Sequence, residues 1–322
     1  MTQPLRILIT GASGCAGLHL SALALERGAS VAGFARRGVF ADGVSGYAGD
    51  ITEPEQIRHC LLEYKPDWIF HLAALVHGSG THTPQALLRV NIEGTQHLLD
   101  TVRQTVPEAR VLVASSSGIY GQPDHPEQAI TEDTPLQARS TYALSKAAQD
   151  LMAAQYFLHY GVHTVRGRTF NQTGPGEPAG LVCAMLARQV ARIEAGLQAP
   201  VLQVVTLQTR RDFCDVRDVV AGYWAALEYG VAGAAYNICS GRSHSIGQVA
   251  AYLMAHAGLS DRVQIVETHP DPLPQAILHQ VGDATRLVTC SGWQANIPLE
   301  QSLRDLLDEW RVKINHKTED AA

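Results

Sequence analysis

The chain has 322 residues, of which 46% are hydrophobic and 17% charged, and its formal net charge is −6. This composition is typical of a soluble globular protein with one large domain or two linked ones. It argues against a nucleic-acid surface, because no block of Lys and Arg offers a stripe for phosphates. No apolar stretch approaches the roughly 18 residues that a membrane-spanning helix needs.

The six cysteines are scattered and show no CxxC spacing. Such a pattern indicates reduced, mostly buried thiols in a cytoplasmic protein rather than a disulfide framework, and no metal site is expected. The N-terminus "MTQPLRILIT" runs directly into a predicted strand and has no signal-peptide core. We therefore expect a cytoplasmic protein.

The first half of the chain alternates apolar strands with amphipathic helices. Strands are predicted at 5–10, 30–35, 67–74, 110–117 and 162–170, and helices at 17–28, 83–105 and 141–161. Continuous apolar strands separated by helices imply a parallel sheet that is covered on both faces. The predicted fold class is α/β, with a doubly wound parallel sheet of the Rossmann type.

From Asn171 this alternation breaks at the Pro/Gly-rich loop "NQTGPGEPAG". Shorter elements follow, with helices predicted at 181–196, 216–230, 245–258 and 298–311, and strands at 200–205 and 234–240. We expect residues 1–170 to form the nucleotide-binding domain, to which some later segments return. Residues 171–315 are expected to form mainly a smaller substrate-binding lobe, and 316–322 a frayed tail.

The stretch "ITGASGCAG" places Gly11, Gly14 and Gly17 between the first strand and the first helix. Glycines at this spacing permit a tight turn, a close approach of the backbone to a pyrophosphate, and helix–strand packing. A purely structural turn is the alternative, but the strand–turn–helix context favours a dinucleotide. The turn residues Ser13, Cys15 and Ala16 are therefore candidate cofactor contacts.

The second strand ends in "FARRG", where an enzyme that prefers NAD usually carries an acid for the ribose 2′-hydroxyl. Arg36 and Arg37 instead suit the 2′-phosphate of NADP(H), although solvated loop charges would look the same. Asp50 is a candidate adenine contact. Small or apolar side chains that could lie beside the cofactor are Ile51, Leu72, Ala73 and Ala74.

The segment "YALSK" places Tyr142 and Lys146 four residues apart, on one face of a predicted helix. A tyrosine with a pKa of about 10 is a poor acid–base group at neutral pH. A nearby ammonium favours the phenolate and is expected to lower that pKa. If Tyr142 and Lys146 were the only observation, core packing of an amphipathic helix would explain them. The glycine motif and the serines of "SSSGIYG" at the fourth strand's end favour a catalytic pair, because such sheets bind ligands at their carboxyl edge.

In combination, these motifs resemble the extended short-chain dehydrogenase/reductase family over nearly the whole chain. The resemblance rests on "TGASGCAG", "HLAA", "VNIEGT", "SSSGIYG", "YALSK", "RTFNQTGPG" and "RRDFCDVRDVV". It implies that Tyr142 exchanges a proton with a sugar oxygen, and that Ser116 hydrogen-bonds the same oxygen. It also implies that Lys146 binds the nicotinamide ribose and lowers the tyrosine pKa. Asn91 and Ser115 are further cofactor candidates, and Ser117 and Asn171 are substrate candidates.

Dehydratases of this family carry a glutamate two residues before the tyrosine of the "YG" pair, where they move protons at C5 and C6 of a hexose. The corresponding residue is Gly118, and no acid occurs in "SSSGIYG". The serines can bind and polarise a carbonyl, which is sufficient for ketone reduction. The resemblance therefore implies a reductase rather than a dehydratase.

The second half resembles the subfamily that reduces GDP-4-dehydro-6-deoxy-D-mannose to GDP-D-rhamnose with NADPH. This subfamily usually has Arg-Pro, followed by an acid, before Val-Gly-Asp, but the chain reads "LPQAILHQVGD", with Leu273 in place of the arginine. Arg211 and Arg188 remain candidates for binding the diphosphate or sugar. Solvation or ion pairing is the alternative for both. The family also implies a homodimer through the helices that begin near Thr83 and Ser140.

Two other functions fit the sequence less well. A nucleotide-sugar 4-epimerase would retain bound NAD, but Arg36 and Arg37 replace the acid that NAD prefers. A non-catalytic NADP-sensing protein would typically lose the tyrosine or the lysine, and this chain keeps both. The sequence thus predicts a cytoplasmic, NADPH-dependent reductase of a nucleotide-linked 4-keto-6-deoxyhexose.

Overall fold

The computed structural model describes residues 3–36, 38–76, 82–269 and 276–319. The strands are β1 (Arg6–Thr10), β2 (Ser30–Ala35), β3 (Ser45–Ala48), β4 (Trp68–His71), β5 (Arg110–Ser116), β6 (Thr164–Thr169), β7 (Asn171–Thr173), β8 (Val201–Val204), β9 (Arg210–Asp215), β10 (Ala235–Ile238), β11 (Ser243–Ser245) and β12 (Gln264–Glu267).

The α-helices are α1 (Cys15–Glu26), α2 (Pro54–Tyr64), α3 (Pro84–Leu88), α4 (Gly94–Thr105), α5 (Thr141–Tyr160), α6 (Val182–Glu194), α7 (Val216–Tyr229), α8 (Ile246–His256), α9 (Thr285–Ser291) and α10 (Leu299–Glu319). A π-helical turn at Arg89–Glu93 joins α3 to α4, and a 3₁₀ turn at Ser117–Tyr120 follows β5.

Seven strands form one parallel sheet in the order β10-β6-β5-β4-β1-β2-β3. The chain leaves β1 in one direction to β2 and in the other to β4, so the strand order reverses beside β1. Ligands bind at such a reversal, outside the carboxyl ends of the strands. The prediction of a doubly wound parallel sheet is confirmed.

The apolar strands pack on both faces, as their unbroken hydrophobic runs require. In β1, Leu8 packs into a cluster with residues of α2 and α4, whereas Ile7 and Ile9 pack into the opposite cluster with residues of α1 and α7. Both clusters are formed by side chains with almost no exposed surface.

A separate hydrophobic cluster lies in the second half of the chain, where α6, α8 and α10 pack around β8. Beside it lie a three-stranded sheet, β11-β9-β7, and the pair β12-β8. Later segments also return to the large sheet, because β10 pairs with β6 and α7 contacts β5 and β6. The domain boundaries at 170 and 315 remain predictions.

The sequence analysis did not assign several short elements as helices or strands. These are β3, α2, β7, β9, β11, β12 and α9. The structure also interrupts the single helix predicted at 83–105 with the π-helical turn. Within the described residues, no helix combines the length and hydrophobicity that crossing a membrane would demand.

Candidate active site and cofactor cleft

A cleft of about 630 Å³ opens at the carboxyl edge of the large sheet, between it and the second hydrophobic cluster. The predicted site residues that line it are Ala16, Leu72, Ala74, Ser115, Ser116, Ser117, Tyr142, Lys146, Asn171 and Arg211. The fold thus brings together residues from both halves of the chain. The cleft is large enough for a small-molecule ligand.

The glycine-rich turn after β1 has no room for side chains. Gly11 has a φ of +73°, and a Cβ there would lie 2.8 Å from the backbone nitrogen of Ala73. A Cβ on Gly17 would lie 2.4 Å from the Gly11 carbonyl oxygen. Because the helix and both strands meet this closely, the turn presents backbone rather than side chains to the cleft.

The N-terminus of α1 fits an anionic cofactor group. Its N-cap residue is Gly14, which makes no side-chain capping hydrogen bond, and its first turn contains no acid. The first backbone N–H groups and the helix dipole therefore favour a pyrophosphate. Ser13 and Cys15 belong to this turn without lining the cleft, whereas the neighbouring Ala16 does line it.

The predicted adenine end of the site is only partly described. Arg36 is exposed directly after β2, and Arg37 lies outside the described residues. One carboxylate oxygen of Asp50 accepts hydrogen bonds from the backbone and the hydroxyl of Thr52, at 2.9 and 2.8 Å. Ile51 packs into the core beneath Gly94, so its side chain supports this end of the site without lining the cleft.

Asn91 supports the site from behind. It is 0% exposed; its amide oxygen accepts the Leu75 N–H at 2.7 Å, and its amide nitrogen donates to the Leu75 carbonyl and to Ser145. Its polar atoms are used by these contacts, so a direct cofactor contact stays a prediction that this geometry does not favour. Asn91 has no exposed surface, and its hydrogen bonds fix the position of Leu75 in the segment after β4. Asn91 itself lies in the π-helical turn.

A buried histidine joins this support to the glycine turn. His71 contacts the hydroxyl of Thr10 through Nδ1 at 2.8 Å and that of Thr95 through Nε2 at 2.9 Å. Thr95 gives its own hydrogen to the Asn91 carbonyl, so Nε2 of His71 must donate and Nδ1 must accept. Burial lowers the pKa of His71 to about 3, so the ring stays neutral.

Ser116 and Tyr142 form the reactive pair. Both line the cleft, and a hydrogen bond from Ser116 stabilises the tyrosine phenolate. The Ser116 hydroxyl itself accepts the Gly118 N–H at 3.1 Å. Because that contact leaves its hydrogen available, Ser116 can donate to the phenol oxygen or to a ligand oxygen beside it.

The pKa of Tyr142 differs from the sequence prediction. Burial raises it above its usual value, and the hydrogen bond from Ser116 offsets only part of the rise. The expected lowering by Lys146 is absent, and the ammonium instead hydrogen-bonds the Ala114 carbonyl at 2.5 Å. In this state Tyr142 is a protonated phenol at neutral pH.

Lys146 lines the same cleft and is buried, with 4% of its surface exposed. Burial lowers its pKa to about 8, and the charge of Asp150, one turn further along α5, opposes this shift. Asp150 also holds two arginines, Arg166 and Arg168, at 2.9 Å each. The carboxylate of Asp150 thus forms ion pairs with two arginines and also acts on the charge of Lys146. Its effect on the Lys146 pKa does not outweigh that of burial.

The two serines beside Ser116 have different surroundings. Ser115 is buried and lines the cleft, and its hydroxyl has no hydrogen-bond partner. An orphaned buried hydroxyl in a cleft fits a ligand or cofactor group that completes it. Ser117 instead donates to Gln280 at 3.3 Å, which reduces its capacity to bind substrate.

Of the two arginine candidates, only Arg211 faces the cleft. Its guanidinium donates to the carbonyls of Arg210 and Ile277, and burial alone lowers its pKa to about 10. Arg188 is exposed on the outer side of α6, 5.8 Å from the ring centroid of Trp310. The structure does not bring Arg188 to the cleft, and its binding of substrate stays a prediction.

The sequence analysis did not single out several polar residues that line the cleft, among them Arg139, Glu177 and Gln280. Gln280 ties its segment to the serine turn by donating to the carbonyls of Gly121 and Ser117 at 2.6 and 3.2 Å. Glu177 lies in the loop "NQTGPGEPAG". An acid in a predicted substrate loop is the sequence feature by which it could have been identified as a site residue. Leu273 lies outside the described residues.

Comparison with known proteins agrees with this geometry. Residues 8–306 match the sequence model of a family described as GDP-mannose 4,6 dehydratase. A GDP-6-deoxy-D-mannose reductase from Pseudomonas aeruginosa is 33% identical, over 98% of this chain and 100% of the relative. GDP-mannose 4,6 dehydratase 1 from Arabidopsis thaliana is 27% identical, over 96% of this chain and 91% of the relative.

Solved structures show the same fold over almost the whole chain. RMD from Pseudomonas aeruginosa in complex with NADPH has a TM-score of 0.83 and 30% identity, covering 96% of this chain and 99% of that chain. UDP-glucose 4-epimerase from Thermus thermophilus with NAD has a TM-score of 0.83 and 26% identity, covering 95% and 99%. The chain therefore belongs to the GDP-mannose 4,6-dehydratase family, within the extended short-chain dehydrogenases/reductases.

Proposed function

We propose that the protein is an NADPH-dependent reductase of a nucleotide-linked 4-keto-6-deoxyhexose, with GDP-4-dehydro-6-deoxy-D-mannose as substrate and GDP-D-rhamnose as product. The observation that carries this proposal is that Ser116, Tyr142 and buried Lys146 line one cleft, whose serine turn bears no acid. The relative that matches 98% of the chain is named as a reductase of this kind.

The chemistry divides between cofactor and protein. NADPH, when bound, supplies the hydride that reduces the ketone carbon. Tyr142, with its raised pKa, is a phenol that can donate a proton to the resulting oxygen, and Ser116 can hydrogen-bond that oxygen. Lys146 holds a buried ammonium in the same cleft, on the Ala114 carbonyl, from where it can also hydrogen-bond the nicotinamide ribose.

Two observations favour NADPH over NADH. One is the positive charge after β2, and the other is that the similar RMD from Pseudomonas aeruginosa was solved in complex with NADPH. Arg36 follows β2 at the place where an acid would select NAD, and Arg37 is next in sequence. We expect the wild type to bind NADPH more tightly than NADH, and an Arg36→Ala, Arg37→Ala double variant to lose that preference. Titration with both cofactors tests this, and equal wild-type affinities would contradict it.

The cleft contains a buried guanidinium, that of Arg211, which suits the negatively charged diphosphate of a nucleotide sugar. Among the described residues no carboxylate forms an ion pair with Arg211, and burial of an uncompensated guanidinium is costly. A diphosphate would remove that cost through charge-assisted hydrogen bonds. We therefore assign Arg211 to the substrate diphosphate, with Asn171 beside it in the cleft.

Although the family model is described as a dehydratase, the site lacks the required base at the serine turn. Gly118 occupies that position, and a Cβ there would meet only the Ser116 hydroxyl at 3.4 Å and Ala143 at 3.8 Å. Space therefore does not exclude a side chain. The chain simply has none, and a serine hydroxyl cannot abstract the C5 proton at neutral pH.

The test compares two incubations of the purified protein. GDP-mannose with NADP should give no 4-keto-6-deoxy product, whereas the preformed ketone with NADPH should give loss of NADPH absorbance. Dehydration of GDP-mannose would contradict the reductase assignment. Tightly bound NAD with interconversion of C4 epimers would instead support the epimerase alternative. A protein that binds NADPH but consumes none with any 4-keto sugar would be a sensor.

A further inference from the structure

The loop between β7 and α6 lies directly against the start of α1. The carbonyl of Pro175 contacts Cys15 Sγ at 3.5 Å and His19 Nε2 at 2.8 Å. Gly176 lies so close that a Cβ on it would be 3.4 Å from the same sulfur. Cys15 is the first residue of α1, so this loop borders the N–H groups that we assign to the cofactor pyrophosphate.

The carboxylate of Glu177 holds this loop in its conformation by accepting hydrogen bonds. Glu177 is 5% exposed and lines the cleft. It accepts a hydrogen bond from the Thr173 hydroxyl at 2.6 Å and from the backbone N–H groups of Gly174, Cys183 and Ala184. Because these donors lie on both sides of the loop, Glu177 joins its two ends and fastens it to the first turn of α6.

Three carboxylates contribute negative charge around Cys15, namely Glu177, Glu309 and Asp215. Asp215 pairs with Arg217 at 2.8 Å, and Glu309 pairs with Lys313 at 2.7 Å. Glu177 has no ion pair with a cation among the residues that the structure describes. Its desolvation is offset by hydrogen bonds alone, from Thr173 and from backbone N–H groups.

A pyrophosphate at α1 would add negative charge next to this unpaired carboxylate. We propose that Glu177 is a proton-linked positioning residue of the cofactor site, which holds the loop against α1 and becomes more protonated when NADPH binds. The inference rests on the NADPH site proposed above.

The surroundings of Glu177 allow such a change of state. Burial raises the pKa of this carboxyl group to about 7, so little additional negative potential is needed to protonate it. The thiols nearest to it, Cys15 and Cys183, have pKa values raised by burial and stay neutral. The Thr173 hydroxyl can reverse its role and accept the new carboxylic hydrogen, while the backbone donors keep the other oxygen.

Calorimetry of NADPH binding in buffers of different ionisation enthalpy tests the inference. We expect uptake of about half a proton per NADPH near pH 7.5, and an affinity that falls about tenfold from pH 6 to pH 9 if binding raises the pKa by one unit. The 2′-phosphate of NADPH also titrates, at about 6. The relevant quantity is therefore the difference from Glu177→Gln, which should bind NADPH without this uptake.

Glu309→Gln is the matched control, because Glu309 accepts the Gly176 N–H of the same loop at 2.8 Å but is already paired with Lys313. It should keep the wild-type proton uptake. Equal uptake in wild type and Glu177→Gln, with ordinary NADPH binding, would overturn the inference alone. Uptake on binding of GDP but not of NADPH would also overturn it. Failure of the wild type to bind NADPH would overturn the cofactor assignment as well.

Discussion

At the scale of single residues, the protonation state of Tyr142 fits the direction of the proposed reaction. Reduction of a ketone requires a proton donor, and burial raises the pKa of this phenol so that it carries its proton at neutral pH. A phenol of lowered pKa, as the sequence had suggested, would suit oxidation better. Ser116 offers a hydrogen bond in either state of the tyrosine.

Replacement of Tyr142 by Phe should remove turnover and leave NADPH binding close to wild type, because the ring still packs and only the proton donor is lost. Ser116→Ala should reduce kcat by about 10²–10⁴, the range for a lost acid–base or polarising contact. Stopped-flow absorbance and cofactor titration measure both effects. Near-wild-type turnover by Tyr142→Phe would show that another group donates the proton.

Lys146 is held in its site at a cost to stability. Its pKa is about 8 in the folded chain and 10.5 in the unfolded reference. Between these values the unfolded chain binds more protons, so this group makes the free energy of unfolding rise with pH, by about 3 kcal/mol in all. Lys146→Met should therefore be inactive but about 2–3 kcal/mol more stable at pH 7.

The pH dependence separates this effect from ordinary repacking. The stability difference between Lys146→Met and the wild type should shrink as pH rises from 8 toward 10.5, because the wild-type lysine then becomes neutral in the folded state. Urea unfolding of both proteins across this range measures it. A difference that stays constant with pH would mean that the buried charge is not its cause.

At the scale of the elements, the strands and long helices follow from local patterns, whereas their contacts do not. The unbroken apolar run of β5 and the helical spacing of Tyr142 and Lys146 predict that the serines and these two side chains meet at one edge of the sheet. Arg188 could not be excluded from sequence, because the side of α6 that faces the cleft depends on how α10 packs against it. The buried position of Asn91 could not be predicted for a similar reason, since a polar residue in a motif can face inward.

The support provided by Asn91 can be tested through Asn91→Leu. The change removes the hydrogen bonds to both backbone groups of Leu75 and to Ser145, and leaves buried groups unsatisfied. We expect a loss of about 2–4 kcal/mol of stability and weaker NADPH binding, because each unsatisfied group costs about 1–3 kcal/mol.

Thr105→Val on α4 is the control for Asn91→Leu, because Thr105 only donates to the Thr101 carbonyl within its own helix. It should change stability by less than about 0.5 kcal/mol. Chemical denaturation and cofactor titration compare the two variants. Unchanged NADPH affinity in a folded Asn91→Leu protein would show that the segment after β4 does not need this anchor.

At the scale of the whole molecule, α5 presents an apolar stripe away from the core. Leu144, Leu151 and Leu158 are 53%, 57% and 80% exposed and recur every seven residues, on one side of the helix. The opposite side of α5 carries Tyr142 and Lys146 and packs on β5 and β6. A stripe of leucines at heptad spacing is the pattern by which helices associate.

We therefore predict a homodimer in which α5 and the neighbouring α3 and α4 pack against their counterparts. A stable interface buries about 800 Å² on each partner.

Leu151→Glu combined with Leu158→Glu should give monomers, since each charge would be buried without a partner. Leu62→Glu is the control, because Leu62 is 47% exposed but lies on α2, away from the stripe. Light scattering at micromolar concentration should show a dimer for the wild type and the control. A monomeric wild type would refute the dimer, and a dimeric double variant would place the interface elsewhere. Because α5 also carries Tyr142 and Lys146, turnover measured on the same samples shows whether the monomeric variant keeps an intact active site.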